Sequence, residues 1–427
     1  MSFPADRLPD VLEIRPLAAP PDAVLIPPGS KSLTNRALLC AAMADGESRV
    51  AGVLFADDTR AMLGAIAALG AEVSADEASS TVHVTGADPT IRSRPAAVDA
   101  GQSGTTSRFV MPAVSLASTR GTVDGGPQLR SRPFGPLLHA LRALGVTIED
   151  LGTPGRLPVG ITGPARGGPV SLAGHLSSQF LSGLLLAGPL MPQGLEIRLE
   201  TPLVSVPYVR MTEGVMSAFG VEVVNLAVAP AAYRATDYQV EPDASAASYL
   251  LAAAAITGGR VRVEGLGTAS AQGDVGFADV LEQMGATVER TTTSITVTGG
   301  DRLQGIDVDL SDLSDTAQTL AAVAVFADGP TRLRGIGFIR GKETNRIRAV
   351  VTELRRAGID AREDDDGFTI QPGEPEPTRF RTYDDHRMAM SFALIGLRSP
   401  GIEIADPACV AKTYPRYFDD LRRLAER

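Results

Sequence analysis

The stretch HALRALGVTIE, residues 139–149, packs the end of a helix, a stop signal and the start of a strand into one short span. Ala140, Leu141 and Leu144 fall on one helical face, Gly145 ends the helix, and Val146 and Ile148 then alternate with Thr147 and Glu149. Glycine suits that stop because it enters the left-handed backbone region without a steric penalty. The same phrase returns as AIAALGAEV (65–73), MSAFGVEVV (216–224), LEQMGATVE (281–289) and LRRAGIDARE (354–363). The pivots are Gly70, Gly145, Gly220, Gly285 and Gly358, so a unit of roughly seventy residues repeats along the chain.

A second helix recurs in register with the first. It opens on small polar residues, turns almost wholly apolar, and stops near glycine. Its starts are Ser30-Lys31-Ser32, Ser103-Gly104-Thr105, Ser177-Ser178-Gln179, Asp243-Ala244-Ser245, Ser314-Asp315-Thr316 and Asp384-Asp385-His386. A helix apolar on every side belongs inside a core. Taken singly, each polar start is an ordinary cap. Six in register can instead surround a ligand, because helix amino termini attract anions. Three units precede Tyr238 and three follow it. The expected architecture is therefore two α/β domains, each of three units around buried helices. One comprises residues 26–239 and the other joins 1–25 to 240–427. The cleft between them is the expected ligand site.

Composition narrows the function. Of the 427 residues, 44% are hydrophobic and 21% charged, with a net charge of −10. That balance is globular and disfavours nucleic acid as a partner. No apolar run is long enough to span a membrane, and Met1–Pro21 resembles neither a signal nor a transit peptide, so a cytoplasmic protein is expected. Cys40 and Cys409, in apolar surroundings, are expected to be buried and inert, and the four histidines are too scattered for a metal site.

An acidic chain that binds anions must gather cations locally, and short polar segments do so. PPGSKSLTNRALL (27–39) carries Lys31, Ser32 and Arg36; DAGQSGTTSRF (99–109) carries Gly104 and Arg108; GPQLRSRP (126–133) carries Arg130 and Arg132. HLSSQF (175–180) and SVPY (205–208) add Ser177, Ser178, Gln179, Ser205 and Tyr208. In the second half, SDTAQT (314–319) holds Asp315, and IRGKETNRIRAV (339–350) clusters Arg340, Lys342, Glu343 and Arg346. YDDHRMAM (383–390) brings Asp385, His386 and Arg387, and VAKTYP (410–415) brings Lys412. GSKS lacks the upstream glycine of a P-loop. Cations from both halves suit a pair of anionic substrates, with closure as the charges are neutralised.

In order along the chain, GSKSLTNRALL, SSQF, DASAASYLLAAAAITGG with SAQGD, KETNR, DDHRMAM and AKTYP resemble the motifs of the enolpyruvyl transferase family. The closest branch is the enolpyruvylshikimate-phosphate synthases. The resemblance covers nearly everything after residue 22 and implies two inside-out α/β domains of three βαβαββ units each. It implies transfer of an enolpyruvyl group from phosphoenolpyruvate to the 5-hydroxyl of shikimate 3-phosphate by a monomer. No metal, cofactor, nucleic acid or membrane is implied.

The resemblance also distributes roles. Asp315, Lys31 and Glu343 would do the acid–base work, with Lys31 set among arginines and reaching both substrates. Ser32, Arg36 and Tyr208 would hold the shikimate ring, and Ser177, Ser178, Ser205 and Lys342 its phosphate. Gln179 would lie between the ligands. Gly104, Arg346, Arg387 and Lys412 would surround phosphoenolpyruvate, with Arg132 or Arg130 beside them. The herbicide glyphosate would compete at that site.

Three positions depart from the pattern. Gln128 stands where many members have arginine, Phe338 where many have asparagine, and Asn345 replaces an aspartate. Two rival readings are weighed. The sister enzyme acting on UDP-N-acetylglucosamine uses a loop cysteine, or in some members an aspartate. Residues 115–133 contain no cysteine, although Asp124 is there, and SSQF and KETNR match the shikimate branch. A non-catalytic repeat scaffold would have no reason to keep Asp315, Glu343 and Lys31 together.

Overall fold

The structure, a computed structural model, describes residues 8–86 and 96–425. The chain divides into two compact units, one formed by Met1–Pro28 with Pro242–Arg427 and the other by Gly29–Glu241. They are called here the discontinuous unit and the central unit. Each has its own apolar core.

The five pivot glycines all adopt positive φ, between 78° and 104°. Each follows a helix, and the residue after it closes a six-residue hydrogen-bonded ring. Val146 N–H donates to Leu141 O at 3.0 Å, and Ala71, Val221, Ala286 and Ile359 do the same. This is the Schellman ending, which satisfies carbonyls that the helix leaves open. The strand expected after each glycine forms four times, at Glu72–Asp76, Thr147–Asp150, Thr287–Arg290 and Ala361–Glu363. After Gly220 it does not. Asn225 and Leu226 both take positive φ and fold the chain back so that Val224 bridges Ala227. The turn-back consumes the residues that would have formed the strand.

Among the described residues six small sheets result, three in each unit. In every one a parallel pair is extended by an antiparallel partner. In the strand Thr81–Thr85, for example, Val82 and Val84 are buried while His83 between them is exposed.

The second set of helices lies inside these sheets: Lys31–Met43, Gly104–Val114 and Ser178–Ala187 in the central unit, and Ala244–Thr257, Ala317–Ala324 and His386–Gly396 in the discontinuous one. Every residue from Ala244 to Ile256 is buried, as a helix apolar on all sides requires. Five of the six are capped by the side chain of Ser30, Ser103, Ser177, Asp243 or Asp385. The fifth departs, entering through a tight turn, Ser314–Thr316, with no side-chain cap. The acid in that turn, Asp315, is engaged elsewhere, as described below.

Among the described residues, no helix is long and apolar enough to cross a membrane. Cys40 is buried as expected, whereas Cys409 is only partly so.

Candidate functional site

In the central unit the buried helices present their first turns together with neighbouring loops. Lys31 Nζ lies 3.4 Å from Asp58 Oδ2, and the Asp58 side chain is only 4% exposed. An acid is thus a direct charged neighbour of Lys31. In sequence, Asp57-Asp58 at a helix start looks like ordinary dipole compensation and gives no signal for this contact.

Arg36 is 1% exposed. Its Nε donates to Thr212 Oγ1 at 2.8 Å, Nη1 to Ser32 O at 2.8 Å and Nη2 to Tyr208 O at 3.0 Å. The guanidinium also lies over the ring of Phe109, 4.9 Å from its centroid. Burial pulls its pKa down to about 10, which still leaves it charged at neutral pH. Arg36 therefore braces the Lys31–Met43 helix against Val206–Ala218, spending three of its five donors on the protein. Ser205 begins the latter helix in a left-handed conformation at φ 55°.

Arg108, to which the sequence assigns no role, is central. Its Nη1 donates to Gln179 Oε1 at 2.6 Å, and Gln179 Nε2 donates to Thr105 Oγ1 at 3.1 Å. Phe134 and Phe180 lie against the guanidinium, each with its centroid at 5.2 Å. The Gln179 carboxamide is thus fixed from both ends. Ser177 caps its helix by accepting from Gln179 N, and Ser178 is buried beside it.

Gly104 opens its own helix against two arginines. A Cβ there would stand 2.6 Å from Arg132 Nη1 and 2.8 Å from Arg108 Nη1. This separates the two candidate arginines of the 126–133 loop. Arg132 is 6% exposed and faces Gly104. Arg130 is half exposed and bound bidentately to Asp124 at 2.6 and 2.9 Å. That grip holds the Asp124 carboxyl below the usual carboxylate range and keeps it occupied.

The discontinuous unit gathers a denser ionic cluster. Asp315 Oδ2 accepts from Arg387 Nη2 at 2.7 Å, and its Oδ1 lies 3.3 Å from Arg346 Nη1. Arg346, 1% exposed, also reaches Glu343 Oε2 at 2.8 Å and Asp385 Oδ2 at 2.8 Å. Burial alone would lower the Arg346 pKa, but Asp385, Glu343 and Asp315 outweigh it and hold the guanidinium above its ordinary value. Arg387 Nη1 reaches the Tyr249 hydroxyl at 3.2 Å, and burial pushes that phenol up to about 12, so it stays protonated. Tyr249 is the one phenol in an otherwise apolar helix, which was the sequence signal available for it. Lys412 is buried at 7% and Lys342 is partly exposed. Among the described residues, no group of three or more His, Cys, Asp or Glu is placed to hold a metal ion.

Two of the three departures have local side-chain roles. Asn345 caps the helix Arg346–Arg356 by accepting from Arg348 N at 3.1 Å, which an aspartate would do equally. The ring of Phe338 faces Lys342, with Nζ 5.9 Å from its centroid. At Gln128 the backbone carbonyl accepts from Ser131 Oγ at 2.7 Å, a bond that does not depend on the side chain.

Known proteins match the chain from end to end. The 3-phosphoshikimate 1-carboxyvinyltransferase of Nostoc punctiforme is 43% identical over 425 residues, covering 98% of this chain and all of that one. The one from Serratia proteamaculans is 42% identical, covering 98% of this chain and 99% of its own. Among solved structures, EPSP synthase from Acinetobacter baumannii superposes with a TM-score of 0.80 at 28% identity, over 97% of this chain and 98% of that one. The enolpyruvyl transferase NikO from Streptomyces tendae shares the fold, with a TM-score of 0.74 at 20% identity over 97% of each chain. The sequence model of EPSP synthase (3-phosphoshikimate 1-carboxyvinyltransferase) matches residues 19–421, and the chain belongs to that family.

Proposed function

We propose that this protein transfers the enolpyruvyl group of phosphoenolpyruvate to the 5-hydroxyl of shikimate 3-phosphate and releases phosphate. The observation that carries the reading is Asp315, a carboxylate held between two buried guanidiniums, Arg346 and Arg387, at 3.3 and 2.7 Å. Guanidiniums that grip one carboxylate in this way have the planar geometry to grip another, or a phosphate. An acid–base group and an anion-binding pair thereby occupy one place.

The chemistry assigns each group a task. A proton added to the methylene carbon of phosphoenolpyruvate develops positive character at the neighbouring carbon. The 5-oxygen bonds to that carbon and gives its proton to Asp315, leaving a tetrahedral ketal. Loss of a proton from the new methyl group and cleavage of the carbon–oxygen bond to phosphate restore the double bond. Lys31 and Glu343 deliver and remove the carbon proton. Arg346, Arg387, Lys412 and Arg132 hold the donor, with Gly104 beside it. Lys342, Ser177, Ser178 and Ser205 hold the acceptor phosphate. Ser32 and Tyr208 take the shikimate ring, with Arg36 behind them as the brace that orients both. Gln179, fixed by Arg108 and Thr105, separates the two ligands.

Two features support this reading over the UDP-N-acetylglucosamine branch. The loop 115–133 has no cysteine, and its one aspartate, Asp124, is bound by Arg130. The test is phosphate release from phosphoenolpyruvate with shikimate 3-phosphate as acceptor. Release with UDP-N-acetylglucosamine and not with shikimate 3-phosphate would overturn the assignment.

A further inference from the structure

Glu353 sits two turns beyond Arg346 on the helix Arg346–Arg356, and its carboxylate is fully buried. Its Oε1 accepts from the Tyr383 hydroxyl at 2.6 Å, its Oε2 accepts from Arg381 N at 3.0 Å, and Arg356 neutralises it. An acid is costly to bury, and this one spends its acceptors on a loop of four residues or so. The loop explains why. Tyr383 and Asp384 are consecutive non-glycine residues at φ 57° and 54°, a conformation that costs about 1–3 kcal/mol for each residue. Next comes Asp385, which Arg346 grips at 2.8 and 3.2 Å and which caps the following helix by accepting from Arg387 N. One helix therefore clamps the strained turn at both ends, Glu353 before it and Arg346 after it. Arg387 leaves directly from that clamp towards Asp315 and Tyr249.

We propose that Glu353, acting through Tyr383, is a positioning residue that holds the 383–384 turn in its left-handed form and so sets the angle at which Arg387 meets the enolpyruvyl donor. This rests on the donor site proposed above. Neither Glu353 nor Tyr383 is assigned a contact with either substrate. If Glu353 served only to stabilise the fold, its loss would lower the melting temperature and the active fraction while leaving the Michaelis constants of the remaining enzyme alone. A positioning role acts selectively on the donor.

Tyr383→Phe is the sharpest variant, because it deletes one hydroxyl from a side chain that is 38% exposed and leaves the fold in place. The expected result is a KM for phosphoenolpyruvate raised about three- to tenfold, the scale of one hydrogen bond. The KM for shikimate 3-phosphate should hold, whereas the melting temperature falls modestly, as loss of a hydrogen bond to a buried carboxylate requires under either role. Glu353→Gln should shift the donor KM further in the same direction. Adding Asp384→Gly to Tyr383→Phe removes part of the strain that the clamp opposes and should recover much of the loss. An unchanged donor KM, equal rises in both KM values, or no recovery in the double variant would overturn the proposal. Amide hydrogen exchange over residues 383–387 gives a readout that needs no substrate. It should quicken in Tyr383→Phe, and unchanged exchange would count against the clamp. Wild-type enzyme inactive with this substrate pair would instead strike the proposed function.

Discussion

Replacing Gly104 with alanine tests the central-unit site most directly, because the structure says what the added methyl meets. The Cβ would stand 2.6 Å from Arg132 Nη1, 2.8 Å from Arg108 Nη1 and 3.1 Å from Arg132 Cζ. Ordinary contact needs about 3.5 Å or more, so both guanidiniums must retreat by most of an ångström. The backbone raises no objection, since Gly104 lies outside the positive-φ set and opens a helix where alanine is favourable. Arg108 has little room, pressed by Phe134 and Phe180 and bonded to Gln179 at 2.6 Å. Crowding of this kind costs about 1–3 kcal/mol, and each 1.4 kcal/mol is tenfold in affinity. The loss falls on the ligand site rather than on the fold. The KM for phosphoenolpyruvate should rise roughly five- to a hundredfold, with a melting temperature close to wild type. Glyphosate, longer than phosphoenolpyruvate, should lose more, so its inhibition constant relative to that KM should increase. Steady-state kinetics with and without glyphosate, beside a thermal melt, measure all three. Unchanged KM and inhibition constants would show that Gly104 and Arg132 do not line the donor site.

Asp315→Asn should keep substrate binding within a few-fold and lower turnover by about 10²–10⁴, the range for loss of a general base; wild-type kcat would remove that role. Lys31→Ala should impair both KM values and kcat, measured in the same assay, and an effect on one substrate alone would contradict its placement between the two. Arg36→Lys keeps the charge but cannot bridge Ser32, Tyr208 and Thr212 together, so losing two charged hydrogen bonds should cost about 3 kcal/mol in a denaturant titration; a change under about 1 kcal/mol would refute the brace. The Cys40 thiol, pushed up to about 12 by burial, should resist iodoacetamide at pH 8 in native protein and react once denaturant unfolds the chain. Rapid native alkylation of Cys40 would contradict its burial.

The α/β class was legible because its signals are local. Gly145 and its counterparts end helices through bonds within six residues, and the apolar helices announce burial by composition alone. The missing strand after Gly220 was hidden because two non-glycine residues, Asn225 and Leu226, turn the chain, and no local preference of leucine foretells a positive φ. Candidate residues carried by motifs were legible. Asp58, Thr105, Tyr249 and Glu353 were not, because each acts through a partner distant in sequence. Glu353 illustrates the limit: in TELRR it reads as a helix-surface acid, and only the fold returns Tyr383 and Arg381 to it, thirty and twenty-eight residues later.

Charge accounting shows why the motif residues come as a set. Around Arg346 and Arg387 stand three carboxylates, Asp315, Glu343 and Asp385, so that this cluster has no surplus positive charge. A donor carrying both a carboxylate and a phosphate would meet repulsion from Asp315 and Glu343 as well as attraction from the guanidiniums. At an effective dielectric near 20, one unit charge at 4 Å is worth about 4 kcal/mol, enough to decide between binding and rejection. The surplus must come from a further cation, and Lys412, assigned above to the donor and buried in the same unit, supplies one. A donor carboxylate or phosphate can then replace Asp315 in the grip of Arg387 and Arg346. Displaced, Asp315 becomes available to take a proton, so the arginines that hold the donor would also release the base. A single-sided clamp, with Arg387 alone, would bind the donor without coupling it to that release.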